Sequence, residues 1–123
     1  IFGATTNAQG IYVAAMYGAS ISPHATATSN EDTPAPMTAS LAIPAGGAAF
    51  GSVGYSSGSG YQSFVWANLT EKADLTSGYT FQDMTMAQKA VSAAETPTIT
   101  CTVSSSSASD HRCAMVLASF GPA

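Results

Sequence analysis

Between Thr98 and Val103 the chain alternates Thr98, Thr100 and Thr102 with Ile99, Cys101 and Val103. In an extended strand this puts the hydroxyls on one face and the apolar groups on the other, so the segment predicts a half-buried strand. A polar loop over 104–112 follows, and then Cys113-Ala-Met-Val-Leu-Ala-Ser-Phe120, a run apolar on both faces that Gly121-Pro122 ends. That composition predicts a central strand covered on both sides. Together the two read as a closing hairpin, and the rest of the chain is read around it.

Gly10-Ile-Tyr-Val-Ala-Ala-Met-Tyr-Gly18 is a second apolar run, similar in character to 113–120. Two such runs at opposite ends of a domain predict neighbouring central strands and termini that lie close together. The segment 19–36, with Pro23, Asn30, Glu31, Asp32, Pro34 and Pro36, predicts a long exposed loop with at most a short edge strand. Met37, Ala39, Leu41 and Ile43 alternate with Thr38, Ser40 and Ala42, a strand that Pro44-Ala-Gly-Gly47 turns. Residues 48–55 continue as an apolar strand in which Gly51 and Gly54 mark a bulge or the approach of bulky neighbours.

After the Gly/Ser tip at 56–60, the segment 61–67 is a strand that carries the only tryptophan, Trp66, and runs into a polar edge segment over 68–75. Residues 84–94 contain good helix formers, but the alternation that begins at Thr80 favours a strand over about 79–90. Seven to eight short strands, with turn signals every eight to twelve residues, predict an all-β antiparallel β-sandwich of jelly-roll-like kind, with a barrel as the runner-up. At 123 residues this is one domain, 10–123, with 1–9 as an N-terminal arm. The first residue is Ile1, so the chain reads as a processed product or part of a longer polypeptide.

Only 8% of the residues are charged, against roughly a quarter in ordinary soluble domains. A surface of hydroxyls and small side chains repels its neighbours weakly and suits a protein packed in an assembly. The net charge is −4, and Lys72, Lys89 and Arg112 are the only cations, so no basic stripe exists to meet phosphates and no nucleic-acid partner is expected. No apolar run reaches the roughly 20 residues that span a bilayer, so no membrane partner is expected either.

The runs 10–18, 38–50, Trp66-Ala-Asn-Leu-Thr-Glu71 with Asp74, and 113–123 together resemble small β-sandwich domains in virion structural proteins of tailed bacteriophages. The resemblance spans about residues 10–123. It implies a capsid decoration (cement) protein, or a domain of a head fibre or tail component, on the particle exterior. The partners it implies are the major capsid protein or other virion proteins, and further copies of the chain as a homo-oligomer. It carries over no catalytic residue.

Cys101 and Cys113 flank the closing loop and, in a hairpin centred on Ser107, would sit opposite each other. They are either a disulfide worth about 3 kcal/mol or two buried thiols. Two cysteines without a CxxC do not make a zinc site. His24 and His111 fall in loops and read as exposed residues, while Gly58-Ser-Gly60 lacks the strand-to-helix setting of a nucleophile elbow. Glu71 with Asp74 as a carboxylate pair reads more simply as a solvated face, and neither Glu31 with Asp32 nor Glu71 with Asp74, as alternative calcium ligands, matches an EF-hand loop. Asn68-Leu-Thr70 matches a glycosylation sequon, which has no consequence in a phage host lacking that pathway.

Tyr55, Tyr61, Phe64 and Trp66 gather around a Gly/Ser loop. Exposed, they would form a platform for stacking host-surface glycans; buried, they would be core. Phe2, Pro34 and Pro36 are the candidates for contact with neighbouring subunits. No acid, base, nucleophile or metal constellation stands out, so neither an enzyme nor a cofactor is expected. The leading expectation is a capsid decoration protein, with a carbohydrate- or receptor-binding domain of a fibre or tail as the alternative.

Overall fold

A computed structural model describes residues 15–31, 36–56, 63–76, 82–104 and 112–123. These form eight strands: β1 (Ala25–Glu31), β2 (Met37–Ser40), β3 (Ala48–Ser56), β4 (Ser63–Ala67), β5 (Thr70–Thr76), β6 (Gln82–Ala90), β7 (Thr98–Ser104) and β8 (Arg112–Phe120). They pair antiparallel in two sheets, β1-β8-β3-β6-β5 and β2-β7-β4. The fold is the expected all-β antiparallel sandwich.

The pairings β1 with β8, β2 with β7 and β3 with β6 are those of one long hairpin wound on itself, the arrangement of a jelly roll. The remaining strands, β4 and β5, do not pair with each other; Asn68 and Leu69 alone join them, and this corner carries the chain from the small sheet to the large one. Asn68 turns it with a φ of 67°, a left-handed conformation that asparagine tolerates, and its Nδ2 donates to the Thr98 carbonyl at 2.8 Å. Leu69 is then buried in the core.

Alternation decides which side chains enter that core. Ile99, Cys101 and Val103 of β7 are buried, as are Met37 of β2 and Leu41 and Ile43 beyond it. They meet Ala49, Val53 and Tyr55 of β3, Ala87 of β6, and Cys113, Met115 and Leu117 of β8. Burial of each large apolar side chain contributes about 1.5–3 kcal/mol. The turn after Ile43 is closed by Gly47 N–H donating to the Pro44 carbonyl at 3.0 Å, with Gly46 at φ 71°. Positive φ at the third turn position alone marks a type II turn, which explains the glycine there. Gly47 is required for a different reason: a Cβ would stand 2.5 Å from the Phe120 carbonyl oxygen.

Residues 82–90 are strand, as the alternation favoured, and the barrel does not form because the two sheets stay separate. Four expectations need correction. The run 10–18 is not the neighbour of 113–120, because β1 and β3 occupy both sides of β8. Residues 10–14 lie outside the described residues, and 15–18 are not strand. Residues 18–20 do lie against the C-terminal residues, through the Ala19–Pro122 bridge and hydrogen bonds from Ser20 N–H to Gly121 O and from Ala123 N–H to Gly18 O, while residues 1–14 lie outside the described residues.

The second correction concerns 19–36: this segment holds a seven-residue strand, β1, at the sheet edge but paired along its length with β8. Third, β8 is central within its sheet but covered on one face only, since its burial alternates and Val116 is 55% exposed. Last, β7 and β8 make no hairpin; they belong to opposite sheets. The arm 1–9 lies outside the described residues.

Candidate functional site

The side of the five-stranded sheet turned away from the three-stranded sheet is the most distinctive surface among the described residues. Its residues follow from the registers, because partners across a ladder share a face. One row crosses the sheet as Thr28, Val116, Ser52, Met86 and Ala73. On one side of it lies Thr26, Ala118, Phe50, Gln88 and Thr70, and on the other Asn30, Ala114, Gly54, Met84 and Leu75. Phe120, Ala48 and Ala90 form a fourth, shorter row.

None of these residues is charged. Phe50 and Phe120 pack edge to face at 6.1 Å at one end of the surface, and Arg112, paired with Ser56, closes the other. Val116 and Leu75, 55% and 41% exposed, are among its uncovered apolar side chains. Small residues on β8 and β3, including Ala114, Gly54 and Ser52, keep the middle low. The acidic groups stand elsewhere: Glu71 and Asp74 on β5 share ladder positions with the buried Ala87 and Thr85, hence with the opposite side of the sheet. A register shift between Glu71 and Ala73 interrupts that edge, a device that blunts strand addition.

The outer side of the three-stranded sheet is different in kind. Thr38 and Thr100 hydroxyls lie 3.4 Å apart, those of Ser40 and Thr98 3.3 Å apart, and Ser63 bonds Ser104. These six hydroxyls bond one another along the ladders, with Val65, opposite Thr102, the exposed large apolar residue among them.

The aromatic platform is not formed by the described residues. Tyr55 and Phe64, 3% and 5% exposed, pack edge to face at 6.3 Å between the sheets. Trp66 is half-buried; its Nε1–H donates to the buried Thr85 hydroxyl at 2.9 Å. Strand alternation turns Phe64 and Trp66 inward together, which removes the stacking faces a glycan would need. Tyr61 lies outside the described residues. Gly51 provides the space for this packing, since a Cβ there would come within 2.9 Å of Trp66 Cη2, Leu69 and Leu117. At Gly54 nothing lies within 4 Å, so only one of the two glycines answers to bulky neighbours.

Cys101 and Cys113 are buried thiols on opposite sheets, so the hairpin register that would have set them side by side is absent. Cys113 Sγ donates to the Glu31 carbonyl at 3.3 Å. Burial pushes the Cys101 thiol up to about 12, with Asp74, Glu71 and Cys113 adding in that order. At neutral pH it is an inert thiol. The Glu71 carboxyl is also raised, by desolvation first and by the Asp74 charge second. Among the described residues no three His, Cys, Asp or Glu side chains gather as a metal site.

His24 is exposed, its backbone N–H bonded to Ser119 O at 2.7 Å, and Pro36 is exposed. Phe2, Asp32, Pro34 and His111 lie outside the described residues. Sequence reasoning missed the uncharged sheet face, although its signal was present: the outer residues of 113–120 are Ala114, Val116, Ala118 and Phe120. Expected to be buried, Ala114 and Val116 are exposed and Ala118 and Phe120 half-buried. No family model matches this chain, and no curated protein or solved structure is significantly similar to it.

Proposed function

We propose that this chain is a non-enzymatic structural protein of a phage particle, of the capsid decoration type, held on the particle exterior by protein–protein contacts. The observation that carries the reading is the uncharged outer face of the five-stranded sheet. A face this poor in charge and rich in Ala, Val, Met and Phe has the composition of an interface core, from which charged residues are depleted. The low overall charge and the resemblance of the sequence to small virion sandwiches support the same reading.

The major capsid protein and further copies of the chain are the partners in this proposal. Burial of uncharged surface supplies the free energy, and no cofactor or reacting group enters. Electron cryo-microscopy of the particles that carry this chain tests it. Regularly spaced copies on the shell are the expected result; absence of the chain from purified particles, or confinement to a fibre tip, would overturn it.

A further inference from the structure

We infer that the outer face of the five-stranded sheet takes a second copy of this chain, the two faces stacked about a twofold axis in the plane between them. The inference deepens the proposed structural role and rests on the same face. Three strands of nine residues and two of seven, rising about 3.4 Å per residue and spaced about 4.8 Å apart, give a face of roughly 550 Å2, so two faces bury on the order of 1,100 Å2. Specific interfaces begin at about 1,000 Å2. Sheets packed this way lie about 10 Å apart with their strands within about 30° of aligned.

Charge selects the partner. A chain of net charge −4 meets its own copy favourably only through a surface from which its carboxylates are absent, and this face meets that condition among the described residues. Arg112, a cation at the end of this face, selects the axis. A twofold axis perpendicular to the strands reverses their direction and sets Arg112 of each copy toward the Phe50–Phe120 pair of the other, an attractive cation–ring approach. An axis parallel to the strands would instead bring both Arg112 side chains to the same end of the stack, away from the rings. The hydroxyl-covered face of the small sheet, whose side chains bond one another, is left free for other contacts.

Sedimentation velocity of the purified chain over a concentration series is the test, with Val116→Lys on the proposed interface and Thr102→Lys on the opposite sheet as its control. Both positions are exposed, so both variants keep the strand circular-dichroism signal of the parent. The parent is expected to be a dimer, V116K to weaken dimerisation at least tenfold, and T102K to leave it unchanged. A parent that stays monomeric at high concentration overturns the inference, as does a dimer that T102K breaks and V116K does not. Binding of a monomer to the capsid shell through Val116 would also overturn it while leaving the structural role standing. A dimer of the predicted kind made by a chain absent from particles would do the reverse.

Discussion

The indole N–H of Trp66 on β4 and the buried hydroxyl of Thr85 on β6 form a 2.9 Å hydrogen bond that links the two sheets through the core. Each group answers the other's need: a buried hydroxyl or N–H without a partner costs the desolvation that its bond repaid. Replacing Thr85 with Val keeps the shape and strands the indole N–H. The variant is expected to lose about 1–3 kcal/mol, read from denaturant midpoints with Trp66 fluorescence as the reporter. An unchanged midpoint would mean that water reaches the indole.

Gly51 and Gly54 lie on one strand, three residues apart with Ser52 and Val53 between them, yet their surroundings are opposite. Gly51→Ala drives a methyl group into Trp66, Leu69 and Leu117 and is expected to cost about 1–3 kcal/mol from overpacking. Gly54→Ala meets open space and is expected to gain roughly 0.5 kcal/mol by removing glycine's backbone entropy from a strand. Thermal unfolding of the pair checks the contrast, and equal shifts would refute it.

Cys101 makes stability depend on alkaline pH. In the unfolded chain its thiol ionises near 9.0, whereas in the folded protein ionisation waits until about 12. Over that interval the unfolded state binds fewer protons than the folded one, so the contribution of this group falls as pH rises from 9 towards 12. Below 9 both states hold the proton and the effect vanishes. Denaturation at pH 8 and pH 10.5 should therefore show a smaller loss for Cys101→Ala than for the parent, though the variant starts lower because of the cavity it leaves. The same burial predicts that iodoacetamide labels Cys101 only at the rate of unfolding.

How much of this was readable beforehand depends on the contrast within each strand. Where polar and apolar residues alternate, as at Met37–Ile43 and Thr98–Val103, the inward face is determined by the side chains and the structure follows it. Residues 113–120 lack that contrast, so the sequence could not say that only Cys113, Met115, Leu117 and Ser119 turn inward. Ser119 sits on the buried side because its hydroxyl donates to the Ala42 carbonyl at 2.6 Å, a partner 77 residues away that no local pattern discloses. The same limit explains the cysteines. Nearness in sequence suggested a hairpin, but the pairing of β2 with β7 and of β1 with β8 places Cys101 and Cys113 in separate sheets.

The wound pairing also governs how the protein reaches its fold. Ala25 must find Ser119 and Met37 must find Cys101, so the entropy of closing long loops is spent before those ladders return anything. Among the described residues only the β5–β6 ladder, next to the Asn68–Leu69 corner, pairs strands that are neighbours in the chain. Folding that starts there and zips outward is expected to take milliseconds to seconds. The edge strand β1 and its partner β8 are then among the last to meet, and until they do the apolar residues of 113–120 stand open to other chains.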